Sequence, residues 1–558
     1  MKKLAIAFAA ALSLLAFTTK AQEPPRLVET MEVQVVNIDV VVTDKNGKRV
    51  TGLTENDFEV FDRKKRQTIT NFSEIGATIR ESADAPPASD APPSADVPPI
   101  VRRRNTVIFF IDTTSIDPSR RGGVFKELRR FAATSLQPGD RAMLAIWTKG
   151  LQILQPFTES GEEMQRALQQ AGEDAGGTQL ISNRRRVQKA IEHELASSLR
   201  NPNFYPIGDA YAAALEHTTS YAEEMYAHSR LLTVAVATLL SQYASPEDKK
   251  VLVYVGDYLP QNAGAEMYQV LEDLFRAYLP QLKSMLRNEA IGMAQWLEDV
   301  VRIANATGVT IYMISGGALN QMGVDASDSR PPLTTRAAAI LDTETYSAFA
   351  NTALQTGGMT FAGGSARDLL QQIADDFRSY YSIGFRPAGS PDGKSRAIVV
   401  RTKNPDYVVR YRTSYVLRST EDEMSDRVAA NVYAAEMPGE LIVRTQPLRS
   451  MMHSRKQVKV PVKVYLEGGN VTLIPSGNTL AGDVTVFVCA GSATTGASEV
   501  LKHKRRLYIP MADEARFRAS HITFNFDLII ESRPGQTISA GVLDAVSGSY
   551  GLARAAVK

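Results

Sequence analysis

Apolar and polar positions alternate through "VQVVNIDVVVTD", "DFEVFD" and "QTITNF", and an Asn46-Gly47 turn interrupts them in "DKNGK". A period of two broken by such a turn predicts strands, so residues 26–75 read as the hairpins of a small β-domain. From 104 to 387 the pattern changes to short unbroken apolar runs separated by helical stretches. That predicts a doubly wound α/β sheet, whose strands are "TVIFFID", "RAMLAIWT", "LQILQPF", "KVLVYVGD", "VTIYMISG" and "GMTFAG". Between the first two, Val124, Leu128, Phe131 and Ala132 recur at the spacing of one helix face. Only "KG" separates the second strand from the third, too little for a parallel crossover. The sheet is therefore expected to be mostly parallel, with one antiparallel hairpin at an edge.

Two amphipathic runs, "DAYAAALEHTTSYAEEMYAHSRLLTVAVATLLSQYA" and "AEMYQVLEDLFRAYLPQLKSMLRNEAIGMAQWLEDVVRIANA", are longer than such a sheet needs, and the second can break at Pro280. Their Met, Tyr and Leu stripes read most simply as core faces; the sharper reading is a partner-binding helical flap. Residues 388–416 add two strands that can pair with the amino-terminal β-domain. Residues 420–558 open on a helix and continue as alternating strands, which predicts a β-sandwich. In "DAPPASDAPPSADVPP", an Asp-Ala/Val-Pro-Pro unit recurs every six residues, so 76–103 is expected to be an extended proline-rich linker.

At 558 residues the chain is too long for one core. Its first 21 residues carry the marks of an export signal: Lys2 and Lys3, an apolar run from Leu4 to Phe17, and Thr19 and Ala21 before a cut at Gln22. The run is too short to span a membrane as a helix, and no later segment is apolar enough. The mature protein is thus expected in the periplasm or outside the cell. Cleavage removes Lys2, Lys3 and Lys20 and takes the net charge from +2 to −1, which leaves no basic footprint for nucleic acid. Cys489 is the single cysteine, so no internal disulfide or cysteine-based zinc site can form. "IEHELAS" lacks the second histidine of a His-Glu-x-x-His zinc motif, because Ser197 stands there.

A carboxylate at the end of a buried strand calls for a chemical reason. The run Val107–Ile111 places one there, since it leads directly into Asp112 and a cluster of hydroxyls, "DTTS". That strand, the edge hairpin ending in "PFT", the "GGTQL" before a long helix, "VLVYVGD" and "ATGVTIYMI" together resemble a von Willebrand factor type A (VWA) domain. The flanking "VVVTDKNGKRVTGLTENDFEVFD" and "IADDFRSYYSIGFRP" resemble the secreted acidobacterial VWFA-related family. The likeness covers residues 33 to about 415.

The resemblance implies a Rossmann-like sheet and a metal-ion-dependent adhesion site at its carboxyl edge. There Asp-x-Ser-x-Ser, a threonine and a second aspartate hold Mg²⁺, and a partner's acidic side chain completes the coordination. Carried over, Asp112 matches the first aspartate, Thr114 the first serine, Thr178 the loop threonine and Asp257 the second aspartate. Ile116 stands where the second hydroxyl belongs and breaks the motif, with Ser115 and Asp117 flanking the gap. Tyr258 replaces the usual glycine after Asp257. The plain alternative is that "DTTSIDPS" caps the next helix and "GGT" is a turn. For the whole protein, the resemblance implies a non-catalytic binding or adhesion module that engages a protein or surface ligand. The alternative is a secreted hydrolase, against which stands the lack of a nucleophile elbow, zinc motif or phosphate loop in the sequence.

Overall fold

A computed structural model describes residues 35–76, 105–148, 150–173, 179–241, 249–279, 290–316, 333–361, 366–432, 439–492 and 496–557. The expected export signal, nearly all of the proline-rich linker, Thr178 and Pro280 lie outside these residues. The chain divides into two units, Met1–Val35 and Val36–Lys558, and every strand and helix among the described residues belongs to the second.

At the centre of that second unit is a six-stranded sheet in the order Thr360–Phe361, Val309–Ile314, Lys249–Val255, Asn105–Asp112, Arg141–Trp147, Leu151–Thr158. The first five strands pair in parallel, and Arg141–Trp147 pairs antiparallel with Leu151–Thr158 at the edge. Strands covered on both faces read as unbroken apolar runs, and Asn105–Asp112 shows why. Val107, Phe109 and Ile111 point into one core with Leu128, Phe131, Ile373 and Phe377. Ile108 and Phe110 point into the opposite core with Tyr221, Leu232 and Phe349. Helices Pro118–Ser135, Gly161–Glu173 and Ala366–Arg378 cover the first face.

The long helix Ile207–Ser241 lies over the second face, where Ala210, Ala214, Tyr221, Met225, Leu232 and Val236 form its buried stripe. This is the core-face arrangement. Among the described residues the second amphipathic run holds the helices Ala265–Phe275 and Ala294–Thr307, and Ile291–Gly292 between them pairs with Asn262–Ala263, just before the first.

Two four-stranded sheets interleave distant segments around a core of Ile38, Val40, Phe58, Tyr381, Ile383 and Val400. In one, Val36–Thr43 and Ile69–Ile75 flank Tyr380–Phe385; in the other, Phe58–Asp62 pairs with Ser395–Thr402. Tyr380–Phe385, grouped with the α/β region by its apolar character, therefore belongs to this β-body, and the α/β region ends at Arg378. Only its pairing partners distinguish it from a buried parallel strand. The C-terminal region packs two further sheets around Val460, Val464, Val486, Phe524 and Val542. Helix Thr420–Asn431 covers Phe487 and Cys489. Burial pushes the Cys489 thiol up to about 12, which suits a core residue and not a nucleophile.

The amino-terminal β-body is fixed to the sheet by a buried ionic cluster. Asp376 is fully buried and accepts from Arg410 Nη2 at 2.7 and 2.8 Å and from Tyr312 Oη at 2.5 Å, and it pairs with Arg49. Lys249 Nζ donates to the Asp376 carbonyl at 2.7 Å and lies 3.6 Å from the Tyr380 ring centroid. Burial is the main cause that lowers the Lys249 amine to about 7. Asp39 opposes the shift, and Arg49 and Arg410 add to it. The unfolded chain, with an ordinary lysine value near 10.5, binds more protons than the folded one between pH ~7 and ~10.5, so this group makes stability rise with pH across that window. Denaturant titrations of wild type should show that rise, and Lys249→Met should flatten it; an unchanged slope would mean that Lys249 is not the group responsible.

Candidate functional site

Four strand ends meet at the carboxyl edge of the central sheet. Asp112 closes its strand in register with Trp147, and Gly256-Asp257 and Ser315-Gly316 follow the two strands on the other side. Asp112 Oδ1 accepts from the Thr114 amide at 3.1 Å and the Thr114 hydroxyl at 2.5 Å. Its carboxylate therefore shapes its own loop and does not cap the following helix, whose first turn instead bonds the Asp117 carbonyl through the amides of Arg120 and Arg121. The side chain of Asp112 is fully buried, and Oδ2 has no hydrogen-bond partner. Burial raises this carboxyl above the ordinary range, opposed by the charge of His228 and by the bonds from Thr114.

The neighbouring hydroxyls are committed to holding loops. Ser115 Oγ donates to the Asp112 carbonyl at 3.2 Å and accepts from the Asp257 amide at 2.9 Å, and so ties two strand ends together. Ser315 Oγ donates to Asp257 Oδ1 at 2.7 Å. Ile116 is fully buried in the core beneath. A Cβ on Gly316 would come within 3.1 Å of both Asp257 Oδ2 and Ile116 Cγ1, so a side chain there would make these neighbours give by a few tenths of an ångström. The same holds at Gly256, where a Cβ would lie 2.9 Å from the Tyr254 hydroxyl and 3.1 Å from Asp112 Cβ. Burial, the charges of Asp112 and Asp257 and its contact with the Asp112 side chain hold that hydroxyl protonated.

From beneath, Arg121 holds the loop: its buried guanidinium donates to the carbonyls of Thr113 at 2.6 Å and Ile116 at 3.2 Å. From above comes the helix Ile207–Ser241. His228 Nε2 stands 3.4 Å from Thr114 Oγ1, and the imidazole meets the Trp147 ring edge to face at 6.1 Å. Burial lowers the His228 pKa, against the pull of Asp112 and Glu224. Tyr258 is buried beside Arg184, whose guanidinium carbon lies 5.4 Å from its ring and which also faces Glu266 at 3.7 Å. Position 258 thus anchors the Asp257 loop to the helices above it.

The structure brings Asp112, Thr114 and Asp257 to one edge; Thr178 lies outside the described residues. Sequence reasoning missed His228, Ser315, Tyr254 and Arg121. Ser315 could have been found as the residue after a parallel strand adjoining the Asp257 strand. His228 falls three residues after Met225 and four before Leu232, on the buried stripe of its helix. Among the described residues, no three His, Cys, Asp or Glu side chains converge on a metal position. A cation here would take Asp112 Oδ2, Thr114 Oγ1, Asp257 or His228 Nε2 as donors, completed by hydroxyls and water.

No family model matches the chain. No curated protein matches it either. Among solved structures it is similar to a von Willebrand factor type A protein from Catenulispora acidiphila, at 10% identity and a TM-score of 0.21, covering 82% of this chain and 67% of that one. It is also similar to BatB from Bacteroides thetaiotaomicron, at 10% identity and a TM-score of 0.23, covering 49% and 96%. A third likeness is to the pilus adhesin SpaC from Lactobacillus rhamnosus GG, at 9% identity and a TM-score of 0.27, covering 76% and 52%. Likenesses this weak say nothing about activity. No helix among the described residues is long and apolar enough to cross a membrane.

Proposed function

We propose that this is an exported, non-catalytic binding protein of VWA type, which engages a protein or cell-surface ligand at the carboxyl edge of its central sheet. Asp112 carries the reading: a fully buried carboxylate at a strand end, with one oxygen fixed by Thr114 and the other without a partner. A buried carboxyl oxygen without a partner is costly, and a bound divalent cation would offset that cost. Asp112, Thr114 and Asp257, with Thr178 from the "GGT" loop, are the residues that would hold it. By the resemblance the ion is Mg²⁺, which would supply an open position for an acidic group of the partner. The chain's own part is to fix the donors in place: Ser115 and Ser315 orient Asp257, and Arg121 holds the Thr114 loop.

Binding is favoured over turnover because the sequence carries no nucleophile elbow, zinc motif or phosphate loop. Incubated with the native envelope fraction, the mature protein should be retained without chelator and released by it, while Asp257→Ala should not be retained. Screens with generic ester, peptide and glycoside substrates should stay at background; robust turnover would replace this reading with a hydrolase.

A further inference from the structure

The adhesion-site pattern is built from oxygen donors alone, but a nitrogen also stands beside the Thr114 hydroxyl of this corner. His228 Nε2 lies 3.4 Å from Thr114 Oγ1. As a hydrogen bond between a ring nitrogen and a hydroxyl this is long, since nitrogen–oxygen bonds cluster near 2.9–3.0 Å. It is, however, about the separation of two donors that each sit ~2.1 Å from one ion at the tetrahedral angle. The hydroxyl concerned bonds Asp112, whose buried Oδ2 has no partner.

We infer that Asp112, Thr114 and His228 form a site for a borderline divalent cation of the zinc or cobalt type, in preference to Mg²⁺, with His228 as its nitrogen ligand. The inference rests on the cation reading of Asp112 proposed above. Magnesium demands near-octahedral oxygen coordination, whereas imidazole suits zinc and its neighbours in the transition series. Ile116 has removed one oxygen that a magnesium site would use. Ser115, the hydroxyl closest in sequence, is tied to Asp112 O and the Asp257 amide. The imidazole is also held in place, by Trp147 at its edge and by Met225 and Leu232, which anchor the same helix in the core. Such a site would link the helix to the sheet edge, so that the segment overlying the strand ends becomes part of the binding surface.

The ordinary explanation of His228 is packing against Trp147, and the test separates the two. Mature full-length protein is titrated with Co²⁺ and followed by its visible ligand-field absorption, then with Zn²⁺ against a chromogenic chelator, and with Mg²⁺ by thermal shift. Wild type should bind Co²⁺ and Zn²⁺ at least tenfold more tightly than Mg²⁺. His228→Ala and His228→Gln should weaken Zn²⁺ by about 10–100-fold while changing Mg²⁺ by less than about threefold. Two variants are used so that a folding defect in one does not decide the result, with circular dichroism as the check. Zn²⁺ or Co²⁺ binding that both folded variants retain overturns the inference, as does a wild type that responds to Mg²⁺ alone, although the latter leaves the proposed function standing. A wild type that responds to no cation overturns both.

Discussion

Replacing Asp376 with Asn should cost about 3–5 kcal/mol of unfolding free energy, the largest loss expected from any near-isosteric change in the described structure. The carboxylate is fully buried and faces Arg410 and Arg49, with Tyr312 donating to the same group. Asn keeps the shape but not the charge, and two largely buried guanidiniums then lose the carboxylate they share, with Asp375 and Asp39 the acids left nearby. The cluster also joins two parts of the molecule, because Tyr312 and Asp376 belong to the α/β region while Arg49 and Arg410 come from the β-body. The loss should therefore show in denaturant melts as an earlier transition of the β-body, separating from that of the central sheet. A loss below about 1 kcal/mol would mean that hydrophobic contacts, and not this cluster, hold the two together.

The second large effect is expected at Arg121, which holds the Thr114 loop through its backbone carbonyls. Arg121→Ala removes a buried cation that bonds the carbonyls of Thr113 and Ile116 and leaves them without that donor. Unmade bonds of this kind cost about 1–3 kcal/mol each, so a total of about 2–4 kcal/mol is expected. The functional consequence is separate. Thr114 lies between the two anchored residues, so any cation response of the protein should weaken in Arg121→Ala even at temperatures where the variant is fully folded. An unchanged cation response would show that the Asp112–Thr114 bonds alone hold the loop.

The central sheet was legible because each strand is buried on both faces, and burial leaves an unbroken apolar run that sequence displays directly. The edge hairpin was legible for a geometric reason, since two residues between strands permit only an antiparallel return. What sequence did not show are facts of pairing. Tyr380–Phe385 has the apolar character of a sheet strand, but Val36–Thr43 and Ile69–Ile75, more than 300 positions earlier, are its partners. At the site, Asp112, Thr114 and Asp257 were visible through the resemblance to the adhesion-site pattern, and the structure places all three at the carboxyl edge of the sheet. His228 was not, because its helix is distant in sequence and the contact depends on how that helix lies across the sheet. Ser115 flanks the gap that Ile116 leaves, and its task, holding the Asp257 amide, depends on a strand end more than 140 positions away. Arg121 was invisible for the same kind of reason, since an arginine in a helix's first turn ordinarily faces water.

The most direct test is the melting temperature of the mature protein titrated with Mg²⁺, Mn²⁺, Co²⁺ and Zn²⁺ and then returned to chelator, for wild type, Asp112→Asn and Ile116→Ser. A ligand bound only by the folded state stabilises it by RT ln(1 + [L]/Kd), about 2.7 kcal/mol at a hundredfold excess over Kd. Wild type should therefore show a saturable, chelator-reversible rise with at least one of these ions. Asp112→Asn should show none, since it removes the buried carboxylate that the ion would neutralise. Ile116→Ser should start from a lower melting temperature, because it gives up a fully buried apolar side chain, yet respond at lower cation concentration than wild type. If neither wild type nor Ile116→Ser responds to any of the four ions, the carboxyl edge is not a cation site, and Asp112 serves only to shape the loop that Thr114 begins.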